Sequence, residues 1–323
     1  MGKRWLAGLL CLCLCLGALS SCAAPRDVSR VAVIVKSVKS DFFQNMRNGV
    51  NSAATEYRVS VTFEGPDSEE DYEAQNKMIE QAVKNGVDAI VLSAIDYERS
   101  VAAVETAVQR GIKVITVDSG VRSDAVSQFI GTDNRQAGRA AADAAVKRQD
   151  TQQSVYIGVV NYMNDTDNGK QREEGFREAV QKMPDTYVLA SVTVDSTTEA
   201  ATEGALRLMR ENPQINVLVG FNEWMTLGVG EAIRQTGAAD KVRGVGFDSN
   251  ITSVAMLETG EMDALIVQNP FAMGYLGVKN AASLIEGKAC DKEVYTATVT
   301  VDRNNLYDAD VQKILFRFDL EQE

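Results

Sequence analysis

Histidine is absent from the 323 residues, and cysteine is nearly absent from the body of the chain. Without imidazole there is no Ser-His-Asp or Cys-His catalytic unit and no His-ligated metal centre. Four of the five cysteines, Cys11, Cys13, Cys15 and Cys22, crowd the N-terminus, and only Cys290 lies beyond them. A lone cysteine forms neither an intramolecular disulfide nor a thiolate cluster. Placed between Lys288 and Lys292, Cys290 reads as incidental to a surface turn. Positive charge is scarce as well: 33 Lys and Arg face 45 Asp and Glu, for a net charge of −12. Nucleic acid and anionic membrane surfaces need basic patches, so neither is expected as a main partner, although one local cation can still hold a small anion. Nucleotide fingerprints are missing too. No G-x-x-x-x-G-K-[ST] occurs, and no G-x-G-x-x-G stands between a strand and a helix.

What is present begins with a leader. Lys3 and Arg4 precede an apolar run from Trp5 to Leu19 that is too short to span a bilayer comfortably, and small residues close it. Residues 1–22 therefore read as an export signal. The ending Leu19-Ser20-Ser21-Cys22 resembles the lipobox of bacterial lipoproteins, which implies cleavage before Cys22, its lipidation, and anchoring to the outer face of a cell membrane. An ordinary signal peptide beside an unrelated cysteine is the alternative. Residues 23–30 form a short polar tether.

From Val31 onward short β-branched runs alternate with amphipathic segments. Val31 to Val35 reads as a strand buried on both faces, and Phe42, Met46, Val50 and Ala54 form a helical stripe at steps of four. Further strands are predicted at 59–63, 88–92 and 113–117, then at 155–160, 187–194, 217–220, 242–246 and 264–267. Helices are predicted between them, notably at 170–183, 199–211 and 223–236, with Gly111 as a C-cap after the helix at 101–108. The acidic run Ser68-Glu69-Glu70-Asp71 suits a helix N-terminus. Strict β/α alternation makes doubly wound parallel sheets with ligands at the carboxyl ends of strands. The expected fold class is α/β, two Rossmann-like lobes of about five strands each.

Polar residues gather just past these strand ends: Lys36, Ser37 and Ser40 with the pair Phe42-Phe43, then Asp118, Arg172, Asn222, Asp248 and Gln268. Each has a plain alternative. The two Phe residues suit a core, Asp118 and Asn222 suit helix caps, and Arg172 suits a surface ion pair. Together they form a polar ring with one aromatic wall. The acidic stretch Asn164 to Gly169 misses the spacing of a calcium loop by register and reads as a solvated loop, so no metal is expected.

The segments Lys36-Ser37-x-x-Ser40-Asp41-Phe42-Phe43, Val117-Asp118, Gly131-Thr132-Asp133-Asn134, Arg172-x-x-Gly175-Phe176, Phe221-Asn222-Glu223, Val245-Gly246-Phe247-Asp248 and Gln268-Asn269-Pro270 resemble those of periplasmic sugar-binding proteins, the ribose-binding group above all. The resemblance runs from Val31 to about Val301. It implies a type I periplasmic binding protein: residues 31–132 with 270–298 in one lobe, 133–269 with 299–323 in the other. Three strands would cross between them near Thr132-Asp133, Asn269-Pro270 and Thr298-Val299. It implies hinge closure on a monosaccharide or related polyol, with no cofactor and no catalysis, for an ABC permease or else a membrane sensor such as a histidine kinase or chemoreceptor. The ligand-binding set it implies is Lys36, Ser37, Ser40, Phe42, Phe43, Asp118, Ser119, Arg172, Asn222, Phe247, Asp248 and Gln268.

Departures from the group stand at Ser40-Asp41, where it has Asn-Pro, at Ser119 for an Arg, at Ser196 for an aromatic, and at Lys36 for a small polar residue. Lys36 either restores the missing cation or points to solvent. Trp224 either replaces the lost aromatic or lies on a surface helix. Two other classes fit the sequence less well: a hydrolase using Asp118 and Asp248, disfavoured by the charged and hydrogen-bonding neighbours inferred for both, and a repressor of similar core, whose helix-turn-helix would occupy the place the leader takes.

Overall fold

The computed structural model describes residues 28–147, 154–162 and 165–315. The leader, Cys22 and most of the tether fall outside them. The elements in chain order are β1 (Arg30–Ile34), α1 (Asp41–Tyr57), β2 (Ser60–Glu64), α2 (Tyr72–Asn85), β3 (Ala89–Leu92), α3 (Val101–Gln109), β4 (Lys113–Val117) and β5 (Gln128–Gly131). Then follow α4 (Asn134–Val146), β6 (Val155–Tyr162), α5 (Asp167–Val180), β7 (Thr186–Val194), α6 (Thr198–Glu211), β8 (Val217–Gly220), α7 (Glu223–Thr236), β9 (Arg243–Phe247), α8 (Ile251–Thr259) and β10 (Ala264–Val267). The chain closes with α9 (Pro270–Ile285), β11 (Glu293–Tyr295), β12 (Val299–Asp302) and α10 (Ala309–Leu315).

Two six-stranded sheets result, ordered β11-β5-β4-β3-β1-β2 and β12-β10-β9-β8-β6-β7. The first is parallel throughout, and the second is parallel except for β12, which runs antiparallel to β10. Side chains of β1 alternate between two apolar clusters, Val31 and Val33 on one face and Ala32 and Ile34 on the other. This is why that strand reads as an unbroken hydrophobic run. The two-lobe α/β fold expected from the alternation is the fold observed.

Beyond the strands predicted one by one, the first sheet adds β5 and β11 and the second adds β12, the last two arriving late in the chain. The chain passes from β5 through Thr132 into α4, which packs on α5 and the second sheet. It returns from β10 through Gln268 and Asn269 into α9, which packs on α1 and the first sheet. It passes over once more between β11 and β12. Most element bounds shift by one to three residues from those predicted, and two of the differences matter here. Arg110, not Gly111, closes α3, with Gly111 following in the left-handed region at φ 85°. Helix α5 begins three residues earlier than predicted, so Asn168 and Gly169 are buried in its first turn and not part of a solvated loop.

One helix pair in each lobe is packed backbone to backbone. A Cβ on Gly138 of α4 would overlap the carbonyl oxygen of Arg172 in α5, and one on Gly274 of α9 would overlap that of Met46 in α1. Interiors at crystal-like density do not absorb such an overlap, and overpacking costs about 1–3 kcal/mol. Gly138→Ala and Gly274→Ala are each expected to lower the melting temperature by several degrees in calorimetry. Gly138→Ala also displaces Arg172, so it alone is expected to alter the cleft described next.

Candidate functional site

The lobes face each other across a narrow cleft whose cavity volume is about 20 Å³, well below that of ordinary small-molecule sites. It is lined by Lys36, Ser40, Phe42, Phe43, Glu69 and Asp118 from the first lobe. Tyr162, Asn168, Arg172, Asn222, Glu223 and Asp248 come from the second, with Gln268 at a crossing. Asp118 and Asp248 occupy equivalent places, each directly after its strand, β4 or β9. Both lie in the left-handed region, at φ 61° and 66°. Each backbone N–H still donates to the neighbouring strand, Asp118 to Ile130 O and Asp248 to Ile266 O, both at 3.0 Å. The chain thus completes the sheet and then turns sharply, a strain that non-glycine residues keep mainly at functional sites and that Asp tolerates better than most.

Arg172 from α5 is the largest fully buried side chain among the described residues, 1% exposed. Its Nε donates to Asn134 Oδ1 (2.8 Å), Nη1 to Phe221 O (2.7 Å) and Nη2 to Gln268 Oε1 (2.8 Å). The guanidinium lies 4.7 Å from the centre of the Phe247 ring and 4.0 Å from Asp118. Gln268 also accepts from Thr132 Oγ1 (2.9 Å) and donates to Asp248 Oδ1 (2.6 Å). Opposite, Lys36 pairs with Asp118 at 3.1 Å, both 3% exposed. Burial alone would lower the Lys36 pKa. Asp118, helped by Tyr162 and Glu69, outweighs it and holds the ammonium above its ordinary value. Lys36 therefore faces the cleft, not solvent. Ser93 Oγ donates to Asp118 Oδ2 (2.8 Å), and Phe42 meets Phe43 edge to face at 5.1 Å.

Several of these contacts join one lobe to the other. Asn168 Nδ2 donates to Asp118 Oδ1 (3.0 Å). Glu223 Oε2 accepts from Ser40 Oγ (2.6 Å) and from Phe42 N (3.2 Å). Glu70 Oε1 accepts from Ser196 N (2.7 Å), and Glu69 Oε1 from Trp224 Nε1 (3.1 Å). Of the acidic run before α2, only Asp71 caps that helix, accepting from Ala74 N at 2.8 Å. Glu69 and Glu70 turn instead to the second lobe. Burial raises the Glu69 pKa against the opposing pull of Lys36 and Trp224.

Of the residues named from the sequence, nine line the cleft: Lys36, Ser40, Phe42, Phe43, Asp118, Arg172, Asn222, Asp248 and Gln268. Three do not. Ser37 is buried beside the cleft, its hydroxyl donating to Asp67 O at 3.3 Å. Ser119 is buried next to Asp118 but outside the lining, because the left-handed turn aims only Asp118 inward. Phe247 lies under the guanidinium of Arg172, which separates it from the cavity. Trp224 is half-buried at the lobe seam and is neither a cleft wall nor a free surface residue. The sequence reading did not name Glu69, Tyr162, Asn168 or Glu223 as site residues. Only the acidic run pointed at Glu69, and it pointed at a helix start.

Asp248 carries a pH signature. Burial, opposed by Arg172 and the Gln268 hydrogen bond, pushes its pKa up to about 7 from the usual carboxylate range near 4. Between those two values the folded state holds a proton that the unfolded state has lost, so stability falls as pH rises from about 4 to about 7 and then levels. Asp248→Asn removes this term. Thermal melts of the ligand-free protein from pH 4 to 8 are expected to show a smaller decline for the variant and a higher melting temperature at pH 8.

Residues 31–289 match a family model described as a periplasmic binding protein domain. The chain is similar to the D-ribose/D-allose-binding protein of Pseudomonas aeruginosa, 28% identical over 275 residues, 82% of this chain and 84% of that one. Among solved structures it is similar to a carbohydrate transporter solute-binding protein of Agrobacterium radiobacter in complex with D-arabinose. There the TM-score is 0.87 at 29% identity, with 90% of this chain and 99% of the other covered. A solute-binding protein of Agrobacterium vitis with bound D-fucose gives 0.85 at 29% identity, covering 89% of this chain and 100% of that one. With that match across most of its length and the two-lobed cleft above, this chain belongs to the periplasmic binding protein family, in its ribose-binding-like sugar-binding group.

Proposed function

We propose that the protein is an extracytoplasmic receptor that captures a monosaccharide by closure of its lobes and delivers it to an ABC importer. The observation that carries this reading is the polar ring drawn from both lobes. Carboxylates accept from sugar hydroxyls, the Arg172 fork and Lys36 donate, Asn222 and Gln268 do both, and the Phe42–Phe43 wall suits the apolar C–H face of a ring. The proteins it resembles point the same way: a D-ribose/D-allose receptor, and structures holding D-arabinose and D-fucose. Family members are transport receptors and not enzymes, which fits a cleft whose carboxylates are held by neighbouring donors.

Lobes 31–132 with 270–298 and 133–269 with 299–323 move, in this reading, about the three crossing segments. Driving such a hinge from 1:99 to 99:1 needs about 5.5 kcal/mol of differential affinity, and a micromolar ligand brings about 8 kcal/mol in all. Membrane attachment through a lipidated Cys22 belongs to the same proposal. No helix among the described residues is long and apolar enough to cross a membrane.

Trp224 is the sole tryptophan beyond the leader and bonds across the seam to Glu69. Titration with the right monosaccharide is therefore expected to give a saturable change in tryptophan emission. Asp118→Asn, which keeps the shape but removes a charged acceptor, should weaken that titration about 10–100-fold. A panel of pentoses and hexoses that leaves emission and melting temperature unmoved would overturn the receptor reading. Cys22→Ser, expressed in a bacterial host, is expected to move the protein from the membrane fraction to the soluble one. Retention in the membrane would remove the lipid anchor from the proposal.

A further inference from the structure

The first lobe gives the cleft two aromatic rings, and the second gives one among its lining residues, Tyr162 at the last position of β6. Tyr162 is 1% exposed. Its hydroxyl donates to Asn168 Oδ1 at 3.0 Å. The same amide oxygen accepts from Lys36 Nζ (3.4 Å), while the amide nitrogen donates to Asp118 Oδ1 (3.0 Å). The amide has only one workable orientation. Reversed, it would set its NH₂ against the Lys36 ammonium and its oxygen against the Asp118 carboxylate. The first turn of α5 leaves room for the ring with a glycine, since a Cβ on Gly169 would stand 2.9 Å from Tyr162 Cζ.

These bonds fix what the first-lobe floor presents. Asp118 Oδ2 already accepts from Ser93 and Lys36, and Oδ1 accepts from Asn168. With two lone pairs per oxygen, one acceptor direction remains on Oδ1. Lys36 directs one of its three N–H groups at Asp118 and makes a longer contact, 3.4 Å, to Asn168 Oδ1, which also accepts from Tyr162 and from Gly169 N (2.9 Å), so at least one N–H remains. A free donor beside a free acceptor matches one hydroxyl or a pair of adjacent ones. The Tyr162 ring meanwhile closes the side of the cleft where β6 ends.

We infer that Tyr162, through its bulk and through Asn168, which it positions, sets the specificity of the cleft for a pentose-sized polyol and rejects sugars that carry a substituent toward β6. This rests on the monosaccharide-receptor reading above. The two roles of Tyr162 separate by substitution: Tyr162→Phe removes only the hydrogen bond to Asn168, and Tyr162→Ala removes the wall as well.

The test is calorimetric titration of the purified protein with matched sugar pairs, D-ribose and D-allose, L-arabinose and D-galactose, D-xylose and D-glucose. In each pair the pyranose forms differ by one hydroxymethyl group. For the pair of preferred configuration, the parent protein is expected to bind the pentose at least tenfold more tightly. Tyr162→Phe and Asn168→Ala should weaken both members about tenfold and leave their ratio unchanged. Tyr162→Ala should shift the ratio at least tenfold toward the hexose, an effect that general loosening of the fold would not produce. Equal or tighter hexose binding by the parent protein overturns the inference while the receptor reading stands, and so does an unchanged ratio in Tyr162→Ala. Should Tyr162→Ala not fold, the ratio of the parent protein and that of Tyr162→Leu decide. Binding of none of the six sugars overturns both.

Discussion

A guanidinium removed from water organises this molecule. Burying a cation is costly unless it is well hydrogen-bonded, and three of the five N–H groups of Arg172 meet acceptors from three places in the chain. Asn134 starts α4, Phe221 directly follows β8 ahead of α7, and Gln268 stands where the chain recrosses. The aromatic face of Phe247 closes the set from below. Holding one charge thereby fixes the relative positions of two helix starts and one crossing strand. The glycine contact between α4 and α5 brings the helix carrying Arg172 close enough for this to happen.

Around that charge the two lobes repeat one device. Each ends a central strand with an aspartate in the left-handed region, so that the residue finishing the sheet also turns its carboxylate into the cleft. The environments then diverge. Asp118 meets Lys36, Ser93 and Asn168, whereas Asp248 is buried with Gln268 as its hydrogen-bond donor and is driven toward the neutral form. Gln268 carries a second duty, because it accepts from Thr132 in another crossing segment. A ligand that draws on Gln268 thus acts on a side chain that also ties two connections between the lobes.

The fold was legible wherever strands are buried on both faces, since apolar runs such as Val31 to Val35 have few other readings. It was not legible at β5, β11 and β12, four residues or fewer with mixed polarity, of which β11 and β12 pair with strands well back in the sequence. The site divides in the same way. Residues just past strand ends, such as Asp118, Asn222 and Asp248, could be named because the fold class alone places them. Tyr162 reads as one more strand residue. Asn168 looks like part of a polar loop, and Glu69 looks like a helix opener. Their roles exist only once the second lobe faces the first. Phe247 was named from the same rule, and the guanidinium of Arg172 lies over its ring.

The path of the chain bears on how such a protein comes to be folded at all. The first sheet is incomplete until β11 arrives, and α1 lacks its packing partner until α9 does, so the opening third of the polypeptide waits for residues near its far end. Contacts of such long sequence separation form slowly, and the exposed apolar strands meanwhile invite association. A chain threaded through a membrane from its N-terminus would gain from this delay. Its first lobe would stay unfinished, with strand edges and an apolar helix face uncovered, until the last strands of that lobe had followed it across.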